Sequence, residues 1–288
     1  MPEIQLQTIG VVVGPQKPDA IAVVCQLLEW CVARQIELRA LPEIADQVGC
    51  SPLRVNGEEF AEQLDLVVVL GGDGTMLSAA QKIIRGDIPL MGINVGKLGF
   101  LAEFSVYELE ESLLSLINGD YRIVDRAIIE TTYHDETIYA FNEIVIEKYN
   151  SSKMITIRAS VDGHLIADYS ADGIMLTTPT GSTAYSLSNG GPIIAPSAEV
   201  FCITPIAPHS LTLRPLIIPD SLEITLKLTS TGSNALLVAD GLIQKEITPG
   251  ESVSLKRSSY GVKLIKHKDT TYFELLRKKL LWSAEAGG

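Results

Sequence analysis

The stretch Leu64 to Leu77, LDLVVVLGGDGTML, decides the fold. Leu66, Val67, Val68, Val69 and Leu70 form an unbroken run of branched apolar residues closed by glycine. Such a run without alternation predicts a short strand buried on both faces, as in a parallel sheet. Gly71, Gly72, Asp73, Gly74 and Thr75 follow, and the spacing predicts a helix over Met76–Arg85. Three glycines around one carboxylate let backbone approach a bulky anion, and turn amides can point at phosphate oxygens. Open α/β sheets bind their ligands beyond the carboxyl ends of strands. A glycine-rich turn without chemistry accounts for the same residues, so both readings stand at this point.

Outward from that stretch, Thr8–Gly14 predicts a first buried strand and Ala20–Arg34 an amphipathic helix with Asp19 as its N-cap. Lys17, in the turn between them, is open to a phosphate contact or to solvent. Strands are expected around Ile36–Leu41 and Ile88–Ile93, while Pro42–Gly57 is turn-rich and gives no firm element. Strand, helix, strand, helix at this spacing means a parallel sheet with helices on its faces. Asn94–Phe104 (NVGKLGFLAEF) opens a second loop at a strand end, and Tyr107–Asn118 reads as a helix. After Asp120 the chain turns to short β-rich runs, with Val161-Asp162-Gly163-His164 as a two-residue hairpin turn. Thr271–Trp282 is helical. The expected architecture is therefore α/β: a Rossmann-like domain with a parallel sheet, then a predominantly β domain, then a C-terminal helix returning to the first domain. The expected boundaries are 1–122 with 268–288 packing back, and 123–267 for the β-rich part.

The 288 residues carry 23 Lys and Arg against 35 Asp and Glu, a net charge of −12, which argues against a nucleic-acid binder. An acidic total still permits a phosphate ligand held by amides or a metal ion. Cys25, Cys31, Cys50 and Cys202 show no CxxC spacing, so neither zinc nor a disulfide framework is expected, and no protein metal site is assigned. The first residues lack a basic n-region and no apolar run approaches about 18 residues. The expectation is a cytoplasmic protein without a membrane segment.

Several chemistries are excluded by spacing. G-x-x-x-x-G-K-[ST] is absent, since GINVGK (92–97) is spaced wrongly, and G-x-G-x-x-G fails at Leu77. His134, His164, His209 and His267 stand apart, and no G-x-S-x-G elbow accompanies them. Two stretches in the β-rich half carry polar chemistry. Asn142-Glu143 interrupts the apolar strand FNEIVIE; one of the pair must face inward, where a carboxylate needs a partner from the protein or a ribose diol. Ala171–Ile194 runs from an apolar strand into Thr180, Ser182, Thr183, Tyr185, Ser186 and Ser188, short hydroxyls and an aromatic face suited to a polar planar ligand. Ordinary turns have the same composition.

Taken together, GGDGT (71–75), NVGKLGFLAEF (94–104), FNE (141–143), Asp172-Gly173 with TTPTGSTAYSLSNGGP (177–192), and PIAPHSLTLRP (205–215) resemble the NAD kinase family in order and spacing. GGDG alone is shared with lipid kinases and phosphofructokinases; the NE pair with TPTGSTAYSLS is far more specific. The resemblance implies transfer of the ATP γ-phosphoryl group to the adenosine-ribose 2′-hydroxyl of NAD, with Mg²⁺ or another divalent cation, giving NADP. It implies that Asp73 accepts or orients the hydroxyl proton and that Gly74 touches the dinucleotide beside it. Asn142 and Glu143 would bind the adenosine side, and Thr183, Ala184, Tyr185, Ser186, Leu187 and Ser188 would hold adenine and its ribose. Asp172 and Ala207 would reach the nicotinamide half, with Lys153 as a basic contact. NAD and ATP, or polyphosphate as donor, are the implied substrates, and a homodimer or homotetramer the implied assembly.

The chain departs from the pattern at Ser170, where a basic residue is usual, and at Leu242, where a polar one is. Two rivals remain at this stage. A GGDG lipid kinase would need a membrane-facing apolar or basic surface, and a non-catalytic dinucleotide sensor would bind NAD without consuming ATP.

Overall fold

Val11 and Val68, both fully buried, are register partners in a parallel sheet, which is what two unbroken apolar runs require. The computed structural model describes residues 5–15, 18–50, 53–57, 59–96 and 98–282, with backbone alone at 18 and 19. Lys17, Lys97 and the side chain of Asp19 therefore lie outside the described residues. The chain divides into two units, Met1–Asp125 with Val262–Gly288, and Arg126–Gly261.

The first unit runs β1 (Thr8–Val13), α1 (Pro18–Val32), β2 (Glu37–Ala40), α2 (Pro42–Val48), β3 (Leu66–Gly71), α3 (Asp73–Ile83), β4 (Leu90–Asn94), β5 (Phe104–Ser105) and α4 (Leu109–Ile117). Its strands lie in the order β2-β1-β3-β4, all parallel, with β5 pairing parallel to β4. Leu264, in the last strand of the chain, continues the sheet beside Leu90. Val24, Leu27 and Cys31 of α1 join Leu113 and Leu116 of α4 in the core cluster that also contains Val11 and Val68. Cys31 is thus a small core residue.

Three boundaries differ from the sequence reading. The first helix starts at Pro18, so Asp19 occupies its first turn and is not the cap; proline at a helix start loses no hydrogen bond. The turn-rich segment after Leu41 contains α2, entered through Pro42 and closed by Gly49 in the left-handed region at φ 72°. The central helix begins at Asp73, with Gly72 as its N-cap. Asp73 and Gly74 are consequently the first residues of α3. An acid at that position is favoured by the positive end of the helix dipole.

The second unit contains most of β6 (Tyr121–Tyr133), then β7 (Glu136–Ala140), β8 (Glu143–Lys148), β9 (Ile155–Val161), β10 (His164–Ala171), β11 (Gly173–Thr177), α5 (Tyr185–Ser188), β12 (Val200–Ile206), β13 (Leu216–Pro219), β14 (Ile224–Leu228), β15 (Ala235–Ala239), β16 (Ile243–Ile247) and the start of β17 (Ser252–His267). One antiparallel sheet has the order β13-β12-β11-β8-β15-β16, and β10-β9-β14-β17 form another, with β6 pairing β17 and β7. Alternate residues of both sheets, among them Ile144, Ile146, Ile174 and Leu176 facing Ile155, Ile157, Ile224 and Leu226, share one core. That is sandwich packing. The Asp162-Gly163 hairpin has φ 45° and 77°, the two positive values of a type I′ turn.

Past Gly261 the chain returns to the first unit and ends in α6 (Tyr272–Leu280). Thr271 and Glu274 cap it reciprocally. Lys279 of α6 donates to the carbonyl of Leu98 in the first unit.

Candidate active site

In the first unit, the half-buried Asp73 stands where β3 passes into α3. Its Oδ2 accepts the amide of Phe100 at 2.9 Å, and Oδ1 accepts those of Leu101 at 2.9 Å and Ala102 at 3.4 Å. The GGDG turn and the NVGKLGFLAEF loop are therefore one construction, with three amides converging on one carboxylate. Gly99 permits this approach, because a Cβ there would lie 2.0 Å from Asp73 Oδ1. Gly74, next along α3, is exposed.

In the second unit, Asn142 and Glu143 are 9% and 7% exposed, so both members of the pair are buried. Only one of them lies in a strand, and at its end, where the FNEIVIE pattern suggests a pair in mid-strand. Glu143 opens β8, while Phe141 and Asn142 form the bend after β7. The reason is distant in sequence: the carboxylate of Asp240 accepts the amides of Phe141, Asn142 and Glu143 at 2.7, 2.7 and 3.2 Å. The amides face that carboxylate instead of a neighbouring strand. Asp240 was not singled out from the sequence. The signal was present, an acid followed by glycine at the end of the apolar strand ALLVA.

The hydroxyl-rich loop packs against the same bend. Thr178 donates its Oγ1 to the carbonyl of Phe141 at 2.7 Å and its amide to the carbonyl of Asn142 at 2.8 Å. A Cβ at Gly181 would lie 2.3 Å from the Asn142 oxygen, so only glycine fits. Several hydroxyls expected to face a ligand build the loop itself. Ser182 Oγ donates to Pro179 O at 2.7 Å and accepts from Ile194 N at 3.0 Å, and Ser186 Oγ pairs with Thr204 Oγ1 at 3.0 Å. Tyr185 and Ser188 are exposed, while Thr183, Ala184 and Leu187 are half-buried.

Asp172 lies between β10 and β11, its side chain paired with Lys148 Nζ at 2.7 Å. Its amide donates to Ile206 O, next to Ala207, so these two positions adjoin. Ala207 is exposed and held at φ 44°, unusual for a residue with a Cβ. Lys153 is exposed in the turn before β9, and among the described residues no hydrogen bond joins its side chain to the others. Ser170, also exposed, accepts the amide of His209 at 2.9 Å, and Leu242 is 52% exposed beside the Asp240-Gly241 turn.

Among the described residues, two buried polar atoms in this region have no hydrogen-bond partner: Glu143 Oε2 and Thr177 Oγ1, on residues that face each other across the β8–β11 ladder. Burial, and then the negative charge of Asp240, pushes the Glu143 carboxyl up to about 8. It is thus mostly protonated at neutral pH, a donor as well as an acceptor.

A pH-dependent stability follows. A carboxyl whose folded pKa lies above its unfolded one stabilises fully below the unfolded value near 4.5 and loses that contribution as pH rises toward 8. Glu143→Gln removes the cost of ionising a buried group. Its melting temperature is expected to match the wild type near pH 4 and to exceed it increasingly up to about pH 8, where the gain in folding free energy has an upper bound of roughly 3–5 kcal/mol. A pH series of thermal melts checks this; a constant difference across the range would contradict it.

Residues 9–121 match the model of the ATP-NAD kinase N-terminal domain and residues 141–267 that of the ATP-NAD kinase C-terminal domain. The NAD kinase of Chlorobium phaeovibrioides is 39% identical over 283 residues, spanning 97% of this chain and 100% of that one. The crystal structure of yeast NADH kinase complexed with NADH is similar at a TM-score of 0.88 and 26% identity, covering 98% of this chain and 89% of that chain. An NAD kinase from Archaeoglobus fulgidus in complex with ATP gives a TM-score of 0.78 at 26% identity, covering 96% and 99%. A Rossmann-like unit with GGDG at a strand end, followed by a β-rich unit built around the NE bend, defines a phosphotransferase. The chain belongs to the ATP-NAD kinase family. Among the described residues no helix is long and apolar enough to cross a membrane.

Proposed function

We propose that this chain transfers the γ-phosphoryl group of MgATP to the 2′-hydroxyl of the adenosine ribose of NAD, releasing NADP and ADP. The observation that carries the reading is Asp73, the first residue of α3 beyond the carboxyl end of β3, in a chain whose two halves both match the family. A carboxylate offers about four acceptor positions. Two on Oδ1 and one on Oδ2 are taken by the loop amides, which leaves one on Oδ2 for a hydroxyl. As the bond from O2′ to the γ-phosphorus forms, the bond to the β,γ-bridging oxygen breaks and its electron pair leaves with ADP. The hydroxyl proton moves toward Asp73. Phosphoryl transfer depends mainly on such positioning and on charge neutralisation.

Asn142 and Glu143 take the adenosine side, with Gly74 beside the dinucleotide. Glu143 Oε2 and Thr177 Oγ1 support this, since buried polar atoms ordinarily find partners and a nucleoside supplies them. Residues 183–188 hold adenine and ribose, Asp172 and Ala207 the nicotinamide half, and Lys153 serves as a basic contact. Magnesium arrives on the ATP phosphates. A cytoplasmic homodimer or homotetramer completes the reading.

The test is incubation with NAD and either MgATP or polyphosphate, followed by assay of NADP. NADP formed with a donor present is the expected result. Tight NAD binding with no NADP from either donor would make the chain a sensor and overturn the reading.

A further inference from the structure

The loop that holds Asp73 is itself held from its other side. Lys266, in the part of β17 that belongs to the first unit, has a side chain only 4% exposed. Its Nζ donates to the carbonyls of Phe100 at 3.2 Å and Leu101 at 3.0 Å, and to Glu103 Oε2 at 3.0 Å. Glu103 Oε1 in turn accepts the amide of His267 at 2.7 Å. The Phe100 carbonyl and the Leu101 amide belong to one peptide unit, as do the Leu101 carbonyl and the Ala102 amide. In a trans peptide the two groups point opposite ways. Two consecutive peptide units therefore lie between an ammonium and a carboxylate, carbonyls to Lys266 and amides to Asp73. Each end polarises the peptide in the sense that strengthens the hydrogen bond at the other, an effect that grows where water is excluded. Lys279 adds a donor to the Leu98 carbonyl and lies 5.6 Å from the centre of the Phe100 ring.

We propose that Lys266 is a positioning residue for phosphoryl transfer, fixing the Asp73 carboxylate through these two shared peptide units. This rests on the reading that Asp73 acts on the substrate hydroxyl. A charge pair serving stability alone would need only Glu103 and Lys266 in contact. Here the ammonium also takes both carbonyls, so its removal frees the amides that orient Asp73.

Lys266→Met alone would leave Glu103 buried without its cation, so the decisive variant is the double Lys266→Met/Glu103→Gln, in which the glutamine still accepts from His267. It is compared with Glu103→Gln, with Asp73→Asn and with wild type for melting temperature, kcat and KM. The double variant is expected to melt close to Glu103→Gln and to lose about tenfold to a hundredfold in kcat, as expected for a displaced reacting group. KM for NAD should stay within about twofold, the pattern of a loss confined to the transition state. Wild-type kcat in the folded double variant, or kcat lost only in step with melting temperature, would overturn the proposal. If Asp73→Asn were itself fully active, the reading of Asp73 would fall instead, and the two failures are separable.

Discussion

Asp73→Asn is expected to lower turnover by about 10²–10⁴-fold while the affinity for NAD weakens modestly. The substitution keeps the shape and changes the hydrogen-bonding polarity. An amide has one acceptor oxygen, whereas the three loop amides and the substrate hydroxyl all present hydrogens. With its oxygen toward Leu101 and Ala102, its NH₂ opposes the Phe100 amide and the hydroxyl. In the flipped rotamer it opposes Leu101 and Ala102 instead. The first rotamer takes the acceptor from the hydroxyl; the second keeps an oxygen there, but a neutral one that is no base, and it opposes two loop amides. The rest of NAD keeps its contacts in both. Initial-rate kinetics with calorimetric NAD titration checks this, and turnover near the wild-type value would remove Asp73 from the chemistry.

Asp240→Ala is expected to destabilise the folded chain and weaken NAD binding together. The carboxylate of Asp240 accepts three buried amides, those of Phe141, Asn142 and Glu143. Each orphaned buried amide costs about 1–3 kcal/mol, so a loss of roughly 3–5 kcal/mol is expected after partial rehydration. One effect runs the other way: the charge of Asp240 is the second cause of the raised Glu143 pKa, and deleting it eases ionisation of Glu143. The loss should therefore be somewhat smaller at pH 8 than at pH 5. Urea unfolding at both pH values measures it, with the midpoint moving and the slope unchanged. A loss under about 1 kcal/mol would show that the bend does not depend on Asp240.

The parts of this architecture that were legible in the sequence are those set by local pattern. Val67–Val69 and Val11–Val13 read as strands because neighbours cover both faces and no alternation is needed. GGDG marked Asp73, and a polar pair in an apolar run marked Asn142 and Glu143. What escaped was decided across long sequence separations. The NE pair read as mid-strand because nothing near it announces Asp240, 98 positions from Asn142, as the partner of its amides. Nothing local marks Lys266, which is buried because Glu103, 163 positions earlier, and two loop carbonyls receive it. The third miss was local: α2 carried an entry proline and a closing glycine, but its seven residues were too few for periodicity to stand out.

The most direct measurement is a crystal structure of the chain with NAD bound at saturation, read at the adenosine ribose. The account predicts its 2′-oxygen within about 2.6–3.0 Å of Asp73 Oδ2, on the acceptor position that the loop amides leave open. A bound NAD whose 2′-hydroxyl is held by another group, with Asp73 out of hydrogen-bond reach, would contradict it.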